Sequence, residues 1–291
     1  MSAQTRAADA QERVSTQKNA TDLTGFGRQS ETLTALKGAQ SRIQGFIDTA
    51  KAVSARLTTQ DLAMGQVSDG IAGLREAVGS VLATDSAGSL MLELEGQFQT
   101  IRAGLTTRHH GGYLFSGAST STSPLNVANL NELAAAPDVA SVFDNDTLKT
   151  ASRVAEGTTL ETGFLADELG SEVMEILRDI QIYHAGVNGP LNGKVNAAQK
   201  AFLTTQLARL EQAATGVIDK MATTGSMANQ VETITRGHQA QLGSLDELVS
   251  DRTDADMAAA ITDLQLSQVA IQASAQVISQ LRQVSLLNYL T

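Results

Sequence analysis

The sequence predicts a mainly α-helical protein, an elongated rod of long antiparallel helices with a small β-containing central region. Its three prolines are Pro124, Pro137 and Pro190, so residues 1–123 and 191–291 contain none. Because proline inside a helix costs about 3 kcal/mol, two long proline-free arms favour helices at both ends of the chain. Aromatic residues make up 3% of the sequence and hydrophobic residues 42%, supplied mostly by Ala, Leu, Val and Ile. Helical bundles use such side chains, whereas enzyme pockets use more aromatic surface.

The overall composition excludes several classes of function. The 291 residues carry a formal net charge of −10, which disfavours binding to nucleic acid or to an anionic membrane surface. The absence of cysteine rules out disulfides, thiol catalysis and thiolate metal sites. The sequence contains no run of roughly 18 apolar residues, so no membrane span is predicted. Residues 1–10 lack the apolar segment of a cleaved secretory signal, so none is expected.

The first proline-free arm predicts two helices. Beginning near Gln29, apolar residues recur at spacings of three and four up to a turn at residues 84–88, as in a coiled-coil seam. A second helix, with Leu94 and Phe98 on one face, is expected to stop at residues 110–112. His109 and His110 would then be the polar end of this helix, because adjacent helical side chains point in different directions and cannot easily share a metal ion. The seam of the first helix contains Leu36, Ile43, Ile47, Ala50, Leu57 and Met64.

The centre of the chain has a different character. Residues 113–117 form a short aromatic run between glycines, which predicts a strand. Residues 118–124 are rich in serine and threonine and predict a loop. From 139 to 165, short apolar pieces alternate with Asn, Asp, Thr and Gly, which indicates two or three short strands.

The second arm predicts a helix from about Ala166, a tight connection at residues 186–193, and a long helix from about Lys194 to Val249. The segment 255–290 is then a helix with two separate apolar stripes, and Arg282 is its only charged residue after Asp263. A helix that is apolar on two faces needs a partner on each, so we predict that one face is covered by this chain and the other by another molecule. The predicted assembly interface comprises Ile261, Leu264, Leu266, Val269, Ile271, Val277, Ile278, Leu281, Leu286 and Leu287.

The two ends of the chain differ in charge, and no catalytic motif is visible. Residues 1–60 hold eight basic and five acidic side chains, whereas residues 246–291 hold two basic and six acidic ones. Opposite signs favour contact between the ends, although each surface pair contributes only about 0–1 kcal/mol. No HExxH motif, phosphate-binding glycine loop or GxSxG elbow is present. We therefore predict no enzyme and no catalytic, cofactor-binding or metal-binding residue.

Three stretches resemble the flagellin superfamily of bacterial flagella. Residues 11–19 are similar to the family's entry into its first rod helix, except that Gln17 stands where glycine is usual. A second stretch resembles a motif typical of the hook–filament junction branch. The third runs from Asp256 through the C-terminal helix to the terminal motif Ser285–Leu290. The residues of the second motif are Tyr113, Leu114, Phe115, Ser116 and Gly117.

The resemblance implies a structural component of the flagellum, a hook–filament junction protein that assembles through its terminal helices between hook and filament. The alternative is a short flagellin that forms the filament itself, and a third hypothesis is a surface adhesin or glycan-binding module on a flagellin-like rod. The implied partners are copies of this chain, a neighbouring hook-associated protein, flagellin and an export chaperone. The implied location is extracellular, on the flagellum, after type III export without a cleaved signal peptide.

The resemblance also implies how the chain is divided. Residues 1–28 with 250–291 would form an inner assembly domain of terminal helices, 29–117 with 166–249 a helical rod domain, and 118–165 a variable β and loop region. The family usually has a further helix before the segment that begins here at Gln11, and only ten residues precede Gln11. We therefore expect either that the N-terminal part is truncated or that the inner domain is incomplete, and in both cases that the C-terminal helix lacks its partner.

Overall fold

A computed structural model describes the backbone of residues 2–287 and the side chains of residues 2–282. It confirms the predicted mainly α-helical class, with long helices and two small two-stranded sheets. The helices are α1 (Ala3–Thr16), α2 (Ser30–Thr84), α3 (Leu90–Leu105), α4 (Leu130–Ala135), α5 (Ala166–Ala185), α6 (Ala197–Thr253) and α7 (Met257–Leu287). The strands are β1 (Arg108–His109), β2 (Gly112–Tyr113), β3 (Ala151–Ala155) and β4 (Thr158–Glu161).

The chain forms two compact units. The terminal unit comprises residues 1–45 and 238–291, and the central unit comprises residues 46–237. The helices α2 and α6 contribute residues to both. The predicted division into an inner, a rod and a variable part, at other boundaries, stays a prediction.

Helix α2 begins and ends where its apolar periodicity predicts. It contains 55 residues and stops at Thr84, because Asp85 adopts a left-handed conformation with φ 58°. The chain after α2 is tied to the segment that precedes α6. The Ala87 N–H donates to the Gly193 carbonyl at 2.7 Å, and the Val195 N–H donates to the Asp85 carbonyl at 3.0 Å. These bonds connect the two long helices of the central unit at one end.

The main core of the central unit lies between α2, α3, α5 and α6. Helices α2 and α3 approach closely at Gly104, where a Cβ atom would lie 2.7 Å from the Ala63 carbonyl oxygen. Only glycine fits there without moving the backbone of α2. The largest fully buried side chains of this core include Met64, Ile71, Leu74, Leu94, Phe98, Ile101 and Phe115.

A β-hairpin adds a smaller core to the central unit. Strands β3 and β4 pair antiparallel, with Ser152 opposite Leu160. Val154 is buried and packs with residues of α2 and α6, whereas Leu160 is half-buried against them. The prediction of short strands between residues 139 and 165 is confirmed, but helix α4 was not predicted. The α2 and α6 residues of this cluster are Ala50, Val53, Leu57 and Val231.

In the terminal unit, the first part of α2 lies beside the last part of α6. Leu33 is buried, and the Gln40 side-chain amide donates to Asp246 Oδ1 at 2.5 Å. A short 3-10 segment, Thr24–Gln29, leads into α2, and its interior residue Gly27 has φ 52°. Within the described residues, no helix combines the length and the apolar character that crossing a membrane requires.

Candidate assembly surface

Helix α1 packs antiparallel along the first half of α7. Lys18 and Asp254 form an ion pair across an antiparallel backbone bridge, and Arg13 Nη2 lies 3.2 Å from Asp263 Oδ2 in a second ion pair. Both ion pairs join the basic N-terminal region to the acidic C-terminal region, as the charge difference between them predicts. The expectation that α7 lacks an intrachain partner is therefore wrong for this half of the helix.

The most deeply buried residues in the contact between α1 and α7 have small side chains. On α1, Ala10 is buried, while Ala3, Ala7 and Val14 are half-buried at four- and three-residue spacings. On α7, the most covered residues are Ala260 and Ser267, and Leu264 and Ile271 are half-buried at the same spacing. The covered positions of α7 are 257, 260, 264, 267, 270 and 271. Small residues allow the two helices to approach closely but bury little apolar surface.

The predicted interface residues lie in different environments. Leu264 and Ile271 are half-buried on the face that α1 covers. The other predicted residues whose side chains the structure describes are exposed. Leu286 and Leu287 end helix α7, but their side chains lie outside the described part of the chain, as do Asn288–Leu290 of the terminal motif. The exposed members are Ile261, Leu266, Val269, Val277, Ile278 and Leu281, with exposed fractions between 43% and 64%.

Between residues 272 and 282, the part of α7 beyond Ile271 whose side chains the structure describes, the helix is uncovered on all sides. Every described side chain from 272 to 282 is exposed, including three large aliphatic residues, Val277, Ile278 and Leu281. Fully burying one such side chain contributes about 1.5–3 kcal/mol. Single exposed aliphatic residues are common, but a series along one helix is typical of a contact surface. This part of the helix therefore presents exposed apolar surface to solvent.

The half of α7 beside α1 also borders an open groove. Its walls carry charged side chains of α1, and Leu266, Ser267 and Ala270 line its α7 side. Leu266 lies one residue before Ser267 and so points roughly 100° around the helix from the covered face. The exposed stripe of α7 therefore begins beside α1 and continues past its end. The charged residues of the groove include Arg6, Asp9, Glu12, Arg13, Lys18, Asp22 and Asp263.

The motif at residues 113–117 is mostly interior. Leu114, Phe115 and Ser116 are each no more than 1% exposed. The carbonyls of Leu114 and Phe115 accept hydrogen bonds from Arg56 Nη2 at 3.0 Å and from the Ala166 N–H at 2.9 Å. These bonds fix the motif against α2 and the start of α5, so its buried residues are a structural element of the central unit.

The two ends of this motif have distinct roles. Tyr113 is half-buried, and its hydroxyl accepts a hydrogen bond from Arg108 Nη2 at 2.8 Å. Gly117 has φ 65°, and a Cβ atom there would lie 2.6 Å from the Asp146 carbonyl oxygen. Glycine is thus required at this position by both conformation and space.

The predicted end of α3 is wrong. Helix α3 stops at Leu105, and the following residues turn through a hairpin in which His110 and Gly111 have φ 49° and 86°. Positive φ at both central residues is typical of the tight turns that join antiparallel strands. His109 therefore belongs to β1 rather than to a helix end. Within the described part of the chain, no group of three or more His, Asp or Glu side chains could hold a metal ion.

His109 packs against α2. Its Nδ1 is hydrogen-bonded to Thr59 Oγ1 at 3.0 Å, and Thr59 Oγ1 also lies 3.0 Å from the Ala55 carbonyl oxygen. Burial lowers the pKa of His109, and the neighbouring charges of His110 and Arg56 lower it further. This histidine is a structural contact of the hairpin.

The C-terminal region of the chain is similar to a known protein family. Residues 207–290 match the family model of the bacterial flagellin C-terminal helical region. This part of the chain is therefore similar to the C-terminal helical region of flagellins. The matched residues include most of α6 and all of α7, the helix that carries the exposed aliphatic residues. No curated protein matches the sequence.

The fold is shared with solved flagellar proteins. A structure described as a flagellar hook-associated protein from Vibrio parahaemolyticus is 20% identical, with a TM-score of 0.66 over 79% of this chain and 100% of that one. FlgL from Bacillus cereus is 16% identical, with a TM-score of 0.57 over 75% and 98%. Flagellar hook-associated protein-3 from Legionella pneumophila is 11% identical, with a TM-score of 0.61 over 75% and 98%. The predicted resemblance to the flagellin superfamily is confirmed.

Sequence reasoning missed the residues that connect the flagellin-like C-terminal region to the N-terminus. The residue pattern did not indicate helix α1, which was expected only from the family resemblance, although Ser2 accepts the Thr5 N–H at 3.2 Å as a helix N-cap does. The available signal was this serine followed by alanines at positions 3, 7 and 10. Lys18 and Asp254 carry no pattern of their own, and their pairing is visible only in the folded chain.

Proposed function

We propose that this protein is a structural subunit of the bacterial flagellum, the hook–filament junction protein, which joins hook to filament through its terminal helices. The observation that carries the proposal is the shared fold with the hook-associated proteins named above, together with the flagellin match over residues 207–290. The role is architectural rather than catalytic. Its location is extracellular, on the flagellum.

The exposed stripe of α7 supplies a physical basis for assembly. Leu266, Val269, Val277, Ile278 and Leu281 form an aliphatic series on a helix whose only charge after Asp263 is Arg282. A surface of this kind is stabilised by contact with similar helices and requires no charged partner. The partners we propose are copies of this chain, a neighbouring hook-associated protein and flagellin, with an export chaperone before assembly.

Deleting the gene in the bacterium that carries it tests the proposal. The junction role predicts hooks without filaments and flagellin released into the medium, and a plasmid copy of the gene should restore filaments. Electron microscopy of the cells and quantification of flagellin in the medium are the two measurements. Normal filaments on the deletion strain would contradict the proposal.

A second candidate is a short flagellin that forms the filament itself. It is favoured by the match of residues 207–290 to a family model built on flagellin. This role predicts filaments that are shortened or missing without a second flagellin accumulating in the medium. The abundance of the protein per flagellum separates the two roles, because a filament subunit is present in far more copies than a junction subunit.

A further inference from the structure

Two short segments meet where α1 and α7 join the rest of the terminal unit. Residues 17–19 follow α1, and residues 253–255 run from the last residue of α6 into the connection to α7. The Asn19 N–H donates to the Thr253 carbonyl at 2.7 Å, and the Ala255 N–H donates to the Gln17 carbonyl at 3.0 Å. We call these two segments the latch.

Side chains add further bonds to the latch. Lys18 Nζ pairs with Asp254, and Ser250 donates to the same carboxylate. Lys18 Nζ also lies 3.3 Å from Thr253 Oγ1, and the Asn19 amide donates to the Asp254 carbonyl at 2.9 Å. Hydrogen bonds to charged groups are stronger than those between neutral groups. The latch therefore concentrates several polar contacts within a few residues.

The rest of the contact between α1 and α7 is weak by comparison. Ala10 is the buried residue of α1, and its half-buried neighbours Ala3 and Ala7 each carry a single methyl group. The Arg13–Asp263 pair is a single contact that is as accessible to solvent as the Lys18–Asp254 pair but lacks its additional hydrogen bonds, and isolated pairs of this kind contribute little. A helix of 14 residues is also marginal by itself in water. Something beyond the alanine seam must hold α1 in place.

We propose that the latch is the device that keeps α1 docked on α7, so that breaking it at residues 18 and 254 releases the whole of α1. This inference concerns the isolated chain and does not depend on the flagellar role. It predicts that a local change outside both helices controls the accessibility of α1 along its length.

The latch geometry offers a reversible test. Lys18 and Asp254 are opposite each other but do not exchange backbone bonds, since the bonds run between their neighbours. The Cα atoms of such a pair are about 4.5 Å apart, a separation that a disulfide spans. The natural chain has no cysteine, so the double variant Lys18→Cys/Asp254→Cys contains one possible disulfide.

The experiment compares this purified double variant in its oxidised and reduced states by limited trypsin digestion. Cleavage after Arg13, inside α1, reports how often α1 leaves α7. We expect cleavage in the reduced state to be roughly tenfold or more faster than in the wild type, because the charged hydrogen bonds are gone. Oxidation should return it to the wild-type rate or slower. A reductant should not affect the wild type.

The matched control is Asp263→Asn, which removes the other ion pair between α1 and α7 and leaves the latch intact. We expect cleavage after Arg13 in this variant to stay within about twofold of the wild type, because the pair is exposed. Equal cleavage in the oxidised and reduced double variant would overturn the proposal. So would an effect of Asp263→Asn as large as that of opening the latch, since the seam between the helices would then be holding α1.

Discussion

Substitution of Leu281 by aspartate tests the exposed stripe of α7 with little effect on the fold. Leu281 is 63% exposed, so the substitution should lower the free energy of unfolding of the isolated chain by less than about 0.5 kcal/mol. The lower helix propensity of aspartate adds a small further loss. In an assembly that covers the stripe, the same change removes the burial of about two thirds of a leucine, or roughly 1–2 kcal/mol. It also places an unpaired carboxylate in an apolar contact, which costs several kcal/mol more.

Because each 1.4 kcal/mol is about a factor of ten, the Leu281→Asp variant should assemble more than about a hundredfold less well. The matched control is Leu62→Asp, since Leu62 is also a leucine on a long helix and is 68% exposed. Leu264 is less suitable, because its side chain already lies half-buried on the covered face of α7.

The assay expresses each variant in the deletion strain and measures its amount in purified flagella against its amount in the cell. Circular dichroism of the purified variants should give melting temperatures close to that of the wild type. Incorporation of Leu281→Asp at the wild-type level would refute the reasoning. Equal loss of incorporation for Leu62→Asp would show that the exposed stripe of α7 has no special role.

Three further predictions concern local structure. Gln17→Gly should stabilise the turn after α1 by roughly 0.5 kcal/mol, since Gln17 has φ 56° and glycine adopts that conformation without strain; amide exchange of the Asn19 N–H should slow. Gly104→Ala should lower the stability of the central unit by about 1–3 kcal/mol in urea denaturation, because the new methyl group meets the α2 backbone. The pKa of His109 lies below its ordinary value of 6.5, so the stability that this residue contributes is complete above pH 6.5 and falls as acid protonates it; His109→Gln should reduce the loss of melting temperature between pH 7 and about pH 5.

Much of the helical architecture is visible in the sequence, because large aliphatic residues at regular spacing leave few alternatives. Helix α2 was predicted from near Gln29 to residue 84 and runs from Ser30 to Thr84. Helix α5 was predicted to begin at about Ala166 and begins at Ala166. In both, the buried residues are mostly leucine, isoleucine and valine, and polar residues occupy the opposite face.

The missed features depend on small or polar residues. Helix α1 contacts α7 through alanines, which give a weak periodic signal, and Ser267 of α7 is buried although its type predicts exposure. Helix α3 ends five residues earlier than predicted, because the chain turns at His110 and Gly111, and a His-Gly pair is a less familiar turn signal than Asn-Gly. The latch could not be predicted at all, since it joins residues 18 and 254 across most of the chain.

Thiol labelling of Val277→Cys most directly tests whether α7 is an assembly surface. The natural chain has no cysteine, and Val277 is 54% exposed, so a maleimide reagent should label this position rapidly in the purified protein. In intact flagella isolated from a strain that carries the variant, the account predicts that labelling is strongly suppressed and returns when the flagella are dissociated. Equal labelling of the free and the assembled protein would contradict it.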